Sequence, residues 1–432
     1  MYKEQHIRKL ISGGPILIAG YGREGRSTHA LLQRLGMDAS VEVAHNDEEL
    51  FQRLDNAQAH NTPYRHIIKS PGIPTMKLEG RCNLATITSQ TDIFMQVYGG
   101  QTIGISGTKG KSTTTTLIHH LLHRTLTDRN VILAGNMGIP LFDIIDQLDE
   151  TAIIVAELSC HQLENIHRAP HIGVLLNFYQ EHLDHYHDYM DYMMAKMQLL
   201  LQQQAGDICH YCADCAELAE LVAANRSAST LRPYTLKEAY NSILHATPLP
   251  LQGDHNLSNI FVAKLVANDF GIDDNSVLSA LADFHGLPHR LERVGTYCGI
   301  TFYNDSISTI PEATIAAVET LERVDTLILG GYDRGIDYHP LVEYLNDPNR
   351  KGHNVHNVVL VGEAGRRIGQ ALGDSQRCIL YENRYDSIVD WCFQHTRSGQ
   401  ICLLSPAAAS YDAFKNFEER GNCFKNLITN HV

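Results

Sequence analysis

The chain has no apolar run near the ~18 residues that cross a bilayer as a helix, which predicts no membrane insertion for these 432 residues. It has no excess of positive charge: 35 Lys and Arg stand against 49 Asp and Glu, a net charge of −14. That balance argues against nucleic acid or an anionic membrane surface as a partner. If the substrates are anionic, their site must be a local basic island in an acidic protein. Residues Met1 to Leu10 lack the apolar core of a signal peptide, which predicts a cytoplasmic protein. No internal repeat or low-complexity linker is present. The ten cysteines are scattered and form no disulfide framework, as fits a reducing compartment. Cys209, Cys212 and Cys215 make two CxxC spacings that could suit zinc or an iron–sulfur cluster. No partner set follows at the usual spacing, and residues 207–212 read as a strand leading into a helix at Ala216–Ala224. Structural thiols are therefore expected. Apolar residues at 44% and charged residues at 19% describe a globular chain, long enough for roughly three domains.

Gly107-Thr108-Lys109-Gly110-Lys111-Ser112 is the most informative stretch. It lies between a predicted strand, Thr102–Ser106, and a predicted helix beginning at Thr113. A glycine-rich turn in that position points backbone N–H groups and a helix N-terminus at one spot, where polyphosphate binds. Lys111 would neutralise the terminal phosphates, and Ser112 or Thr113 would reach Mg²⁺. The match to the P-loop pattern is imperfect, because Ile105 stands where the first glycine belongs and Gly107 supplies the turn. The competing reading is a Gly/Lys-rich surface turn.

Gly20-Tyr21-Gly22-Arg23-Glu24-Gly25 follows a predicted strand at residues 15–19 and precedes a helix reaching Leu35. This GxGxxG turn could bind NAD or another nucleotide diphosphate, or merely allow close helix–strand packing. Residues 65–69 read as a strand ending in Ser70-Pro71-Gly72-Ile73-Pro74. Apolar strands then recur at Val131–Ala134, Ala152–Ala156 and Gly173–Asn177, as in a buried parallel sheet. Glu157 and His182 fall at or just past strand ends, where functional side chains belong in such sheets. Glu157 is a candidate Mg²⁺ ligand, with a helix-capping carboxylate as the alternative. A third alternating block has strands at Ile300–Asn304, Thr326–Leu329, Val358–Val361, Cys378–Tyr381 and Ile401–Leu404, another doubly wound domain.

Twelve segments, in order, carry a resemblance to the Mur ligase family over essentially the whole length. They are GYGREG at 20–25, SPGIP at 70–74, GTKGKST at 107–113, AGNMG at 134–138, ELSCHQLE at 157–164, NFYQEHLDHY at 177–186, Ala195-Lys196, GDHNLSN at 253–259, GLPHRLE at 286–292, NDSIST at 304–309, GGYDRG at 330–335 and the run from Ser405 to Gly421. The resemblance implies an α/β protein of three domains. These would be a Rossmann-like UDP-substrate domain (1–98), a P-loop ATPase domain (99–289), and a Rossmann-like domain for the amino acid and ATP (290–432). It implies a monomer that adds D-glutamate to UDP-N-acetylmuramoyl-L-alanine, using ATP and two Mg²⁺ ions, through an acyl phosphate.

By the same resemblance Lys111, Glu157, His182 and Lys196 are catalytic. Lys196 is expected to be carbamylated by CO₂, because a free ammonium cannot ligate a cation; a snorkelling lysine is the alternative. ATP is expected on Gly107 to Thr113, Asn256, Asn259, Arg290 and Asp305. The UDP-substrate is expected on Gly22, Arg23, Glu24, Gly25, Ser70, Gly72, Asn136 and His182. Glutamate is expected on Thr309, Arg334, Ser410 and Phe417. Metal is expected on Ser112, Thr113, Glu157, His182 and Lys196. Three positions depart from the family: Arg334 where lysine is usual, Ile307 where NDSKAT is common, and the less acidic stretch Thr88–Asp92. Two of them fall in the amino-acid half, which leaves the L-glutamate reading open. A folylpolyglutamate synthase would lack the N-terminal GYGREG domain. An NAD(P) oxidoreductase would leave Lys111, Glu157 and His182 unused, and a non-catalytic nucleotide-binding protein would not need all four catalytic candidates.

Overall fold

The computed structural model describes residues 3–136, 139–182, 184–246, 249–251, 253–284, 286–321, 323–373 and 377–431, with the side chains of 245 and 246 excepted. Met137 and Gly138 of the AGNMG segment and Leu183 of NFYQEHLDHY lie outside the described residues. The chain divides into two compact units, Met1–Phe284 and His285–Val432.

The first unit holds two parallel sheets. One is built from β1 (Ile16–Ala19), β2 (Val41–Ala44), β3 (His66–Lys69) and β4 (Ile87–Thr88), in the order β2-β1-β3-β4. The other comprises β5 (Thr102–Ser106), β6 (Val131–Gly135), β7 (Ile153–Glu157), β8 (Ile172–Leu175), β9 (Ile208–Cys212) and β10 (Thr230–Tyr234), in the order β10-β9-β8-β5-β7-β6. Strands β5 and β7 are buried along their whole length, because helices cover both faces. Alternate residues point to opposite faces. Ile154 and Ala156 pack with Tyr192, Leu199 and the first sheet's Ile16 and Ile18. Ile153 and Val155 pack with Leu117, Leu121, Ile260 and Val266. Continuous apolar strands are what two covered faces require. β5 runs between β7 and β8, with Ile105 beside Glu157 and Ser106 beside Leu175. The connection from β7 to β8 crosses β5, so a crevice opens at its carboxyl end, where ligands bind in such sheets.

The second unit has one sheet: β11 (Glu292–Tyr297), β12 (Ile300–Asn304), β13 (Val324–Gly330), β14 (Asn357–Val361), β15 (Cys378–Tyr381) and β16 (Ile401–Leu404). Its order is β11-β12-β16-β13-β14-β15, and only β11 is antiparallel to its neighbour. β10 and β11 are not legible in the sequence. Both are edge strands, mostly exposed or half-buried, so neither needs an apolar run. β10 carries Pro233, which an edge tolerates. β11 closes on β12 through Cys298 and Gly299, both at positive φ (49° and 78°), the backbone that a two-residue hairpin turn demands.

Candidate active site

The loop after β5 cannot be built without its glycines. Gly107 sits at φ +153°, and a Cβ there would lie 2.9 Å from the Cβ of Leu176. Gly110 sits at φ +86°, and its Cβ would lie 2.8 Å from Oδ1 of Asn259. Gly110 is also the N-cap of the helix Lys111–Thr125 and offers no side-chain cap, so the first N–H groups of that helix face the loop. Ser112 and Thr113 lie in its first turn. The segment after β8 clamps the loop. Asn177 O accepts from Thr108 N (2.8 Å), Asn177 Oδ1 from Lys109 N (2.8 Å), and Asn177 Nδ2 donates to Lys109 O (3.0 Å). Thr108 Oγ1 also meets Tyr192 OH at 2.7 Å. Lys109 points outward to an ion pair with Glu181. Sequence reasoning gave Asn177 and Tyr192 no part; their signal was position, just beyond β8 and on the helix (Tyr189–Leu201) that carries Lys196.

Two ammonium groups converge on one carbonyl. Lys111 Nζ donates to Gly107 O (2.9 Å) and Thr108 O (3.0 Å), and Lys196 Nζ donates to the same Gly107 O (2.9 Å). Lys196 is 1% exposed, with its ammonium 4.7 Å from the Tyr192 ring centroid. Burial, assisted by the charge of Lys111, drives its pKa down to about 8. Burial also lowers Lys111, partly opposed by Glu157. Glu157 ends β7 and is 2% exposed. Its Oε1 accepts from Asn136 Nδ2 (2.7 Å), while its Oε2 is buried without a hydrogen-bond partner. It caps no helix: the short helix beginning at Cys160 is capped by Ser159.

His182 is held at φ +58°, a left-handed backbone that non-glycine residues rarely adopt and that often marks a functional position. Its ring packs edge-on against His161, with centroids 4.8 Å apart. His161 stacks on His185 at 3.9 Å, and His185 Nε2 lies 2.6 Å from Glu164 Oε1. Glu164 in turn accepts from Lys69 Nζ (2.9 Å) and Thr75 Oγ1 (2.8 Å). Burial alone would raise the Glu164 carboxyl; the contacts from His185, Lys69 and Thr75 outweigh it and hold the group at about 2.

Around the GxGxxG turn the glycines serve close packing. A Cβ on Gly25 would lie 2.1 Å from Gly20 O, and Ser70 Oγ donates to that oxygen (2.9 Å). Gly22 caps the helix Arg23–Arg34 without a side-chain bond. Gly72 is exposed. Glu24 Oε1 accepts from Gln162 Nε2 (2.7 Å), its Oε2 has no hydrogen-bond partner, and burial raises its pKa. The Glu24–Gln162 bond ties this turn to the segment that follows Glu157. Asn259 packs under Gly110, and Asn256 lies one turn earlier on the same helix, Asp254–Asp269. The CxxC thiols are free: Cys209 is buried, and Cys215 Sγ accepts from Phe178 N (3.4 Å). Among the described residues they form no metal-ligating group.

The remaining candidates lie in the second unit, at the carboxyl ends of neighbouring strands β12, β16 and β13. Asp305 is buried, accepts from Ser405 Oγ (2.7 Å) and Leu291 N (3.1 Å), and is raised by burial, with Arg290 opposing. Arg290 itself is exposed. Arg334 is exposed and donates to Thr309 O (2.8 Å). Ser410 is buried, and Phe417 O accepts from Ser306 Oγ (2.8 Å). Arg420, absent from the sequence-based list, is 1% exposed and donates to Ser306, Ala408 and Ala409, which binds the loops after β12 and β16 together.

A glycine-rich loop, a buried carboxylate and two lysines at the switch point of a parallel sheet suit chemistry on a polyphosphate. The Mur ligase middle domain matches residues 105–267. A UDP-N-acetylmuramoylalanine--D-glutamate ligase of Desulfitobacterium hafniense is 32% identical over 451 aligned positions, covering 96% of this chain and 97% of that protein. The chain belongs to the Mur ligase family. A protein of Solibacter usitatus with the same name is 31% identical, covering 97% of this chain and 98% of its own. Among solved structures, a MurF ligase of Thermotoga maritima in complex with ADP aligns over 98% of this chain and 97% of its own, at TM-score 0.56 and 15% identity, a likeness of fold. No helix of the described residues is long and apolar enough to cross a membrane.

Proposed function

We infer that this protein is the cytoplasmic ligase that joins D-glutamate to UDP-N-acetylmuramoyl-L-alanine with ATP, a step in peptidoglycan precursor synthesis. The relatives that match nearly end to end carry that name, whereas a folylpolyglutamate synthase would leave the GYGREG turn without a purpose. The observation that carries the chemistry is Glu157: a carboxylate oxygen 2% exposed residue-wide and without a hydrogen-bond partner, at the end of β7 beside the loop that holds Lys111. An orphaned buried carboxylate is costly unless a cation completes it, so the residues present fit Mg²⁺. Glu157, with Ser112 or Thr113, would hold one ion, and His182 with a carbamylated Lys196 a second. Bound there, the metal would neutralise charge as a carboxylate and a triphosphate approach each other.

The protein's own residues do the rest. Gly107 to Thr113, Asn256 and Asn259 cradle the triphosphate, and Lys111 offsets its terminal charge. Arg290 and Asp305 are assigned to ATP binding. Gly22 to Gly25, Ser70, Gly72 and Asn136 receive the UDP-sugar. Thr309, Arg334, Ser410 and Phe417 receive glutamate, with the Arg334 fork suited to a carboxylate. The substrate carboxylate takes the γ-phosphoryl group, the glutamate amine attacks the acyl phosphate, and phosphate leaves. Lys196 suits carbamylation because, with a pKa of about 8, a usable fraction is neutral near pH 7. The amine attacks CO₂ and releases one proton to solvent. The functional domains are taken as 1–98, 99–289 and 290–432, acting as a monomer. The test is phosphate release with ATP, Mg²⁺, UDP-N-acetylmuramoyl-L-alanine and either glutamate enantiomer. Turnover only with the D form is expected; turnover with L-glutamate, or with a folate in place of the UDP-sugar, overturns the reading.

A further inference from the structure

Cys160 and His161 have no part in the ligation chemistry, yet they sit against His182. Cys160 Sγ, one ring nitrogen of His161 and one of His182 all lie within 4.8 Å of one another. Nε2 of His161 is buried without a hydrogen-bond partner. Its ring is fixed from the far side by stacking on His185, and His185 is itself fixed by Glu164. Cys160 is buried and His182 half-exposed, so the cluster is closed on the thiol side and open to solvent on the other. One sulfur and two imidazoles, with room for one outside ligand, make the donor set of a tetrahedral soft-metal site rather than of a magnesium site, which takes oxygen.

We propose that Cys160, His161 and His182 bind a thiophilic divalent ion such as Zn²⁺, and that binding inhibits the enzyme by drawing His182 away from its part in the reaction. The metal displaces the thiol proton, which goes to solvent, and forms bonds to the thiolate and the two neutral imidazoles; no electron is transferred. The inhibition rests on the functional reading above; the metal site does not. His185 lies outside the set: among the described residues it is Cys160, His161 and His182 that bring ligand atoms within 4.8 Å of one another. The Cys209, Cys212 and Cys215 thiols do not compete as a built site, since they form no such group.

The experiment uses the whole chain and Co²⁺ as a spectroscopic probe, followed by Zn²⁺ in the phosphate-release assay. One equivalent of Co²⁺ should give a near-ultraviolet thiolate-to-cobalt charge-transfer band and the visible absorption of a tetrahedral ion. Cys160→Ser should lose the thiolate band. His161→Phe, which preserves the ring stacked on His185, should bind at least about tenfold more weakly, the loss typical of a damaged metal site. Both variants should turn over like the wild type without zinc and resist zinc concentrations that inhibit it. Turnover with no cobalt band, or a band that survives in Cys160→Ser, overturns the site. Zinc inhibition that is unchanged in both variants overturns its regulatory role. A cobalt band in a protein without ligase turnover leaves the site standing and refutes the functional reading instead.

Discussion

Replacing Lys196 by methionine should make the protein more stable and inactive. The ammonium is 1% exposed and falls from an ordinary 10.5 to about 8 through burial and the charge of Lys111. At about 1.4 kcal/mol per tenfold change in proton affinity, the buried charge costs on the order of 3 kcal/mol at neutral pH. Methionine fills similar space and carries no charge. The lost hydrogen bond to Gly107 O subtracts about 1 kcal/mol, and that carbonyl is not orphaned, since Lys111 Nζ still donates to it at 2.9 Å. A net gain of about 2 kcal/mol follows, roughly 3 °C in the melting temperature of the first unit. The gain must depend on pH. Below pH 8 the lysine is charged in folded and unfolded chains alike, and the penalty is complete. Between about 8 and 10.5 the unfolded chain binds the proton and the folded one does not, so wild-type stability rises toward that of the variant. Above 10.5 the penalty is gone. Thermal melts from pH 7 to 10 in CO₂-free buffer measure this directly, because carbamylation would otherwise change the charge being tested. A variant less stable than wild type at pH 7, or a gap that does not narrow with pH, refutes the account of Lys196 as a penalised buried cation. Near-normal turnover in the variant refutes its catalytic role.

Three further outcomes are expected. Lys111→Ala should lower kcat by about 10²–10³, the usual loss when one transition-state charge contact is removed; rapid-quench phosphate release measures it, and wild-type turnover would exclude Lys111 as the phosphate clamp. Arg334→Ala should raise the KM for glutamate about tenfold, the equivalent of one charge-assisted hydrogen bond, with the KM for ATP unmoved; equal effects on both would assign Arg334 to ATP or to movement of its unit. Gly25→Ala should cost about 1–3 kcal/mol of stability, because its Cβ would meet Gly20 O at 2.1 Å; a denaturation midpoint equal to wild type would show that the turn yields.

The apolar strands were legible and the polar edge strands were not, for one physical reason. β5 and β16 coincide with their expected spans, and β7 and β13 begin or end within a residue or two of theirs, because covered strands must be apolar and must stop where polar chemistry starts. β10 and β11 face solvent and carry ordinary polar residues, so nothing in their composition distinguishes them from loops. The site divides in the same way. Lys111 and Glu157 were marked by position, one after a glycine turn and one after an apolar run. Lys196 was visible only through resemblance, since a lysine on an apolar helix reads first as a snorkelling side chain. The structure buries it instead and turns it onto Gly107 O. Asn177 and Arg420 hold loops rather than ligands, and such clamps acquire meaning only once the partner loops are in place.

An acidic protein that handles two anionic substrates poses an electrostatic problem, and the loop after β5 suggests its solution. Charges more than about 8 Å apart across solvent are largely screened at physiological ionic strength, so the net −14 has little force at a buried point. What counts there is that Lys111 and Lys196 both donate to Gly107 O, and that the charge of Lys111 helps burial to depress the proton affinity of Lys196. Two like charges on one acceptor leave a local positive excess that Glu157 offsets only in part. That excess favours whatever brings negative charge into the loop. A triphosphate does so from outside. The proposed conversion of Lys196 to a carbamate would do so from within, changing two cations into a cation and an anion. Burial, assisted by the repulsion from Lys111, makes the Lys196 ammonium unfavourable, and the same penalty would free its amine to react with CO₂ in the proposed carbamylation. On this argument Lys111→Met should raise the pKa of Lys196 and reduce its carbamylation at neutral pH. ¹³CO₂ incorporation followed by NMR would detect the change, and equal incorporation in the variant and the wild type would show that burial alone sets the reactivity of Lys196.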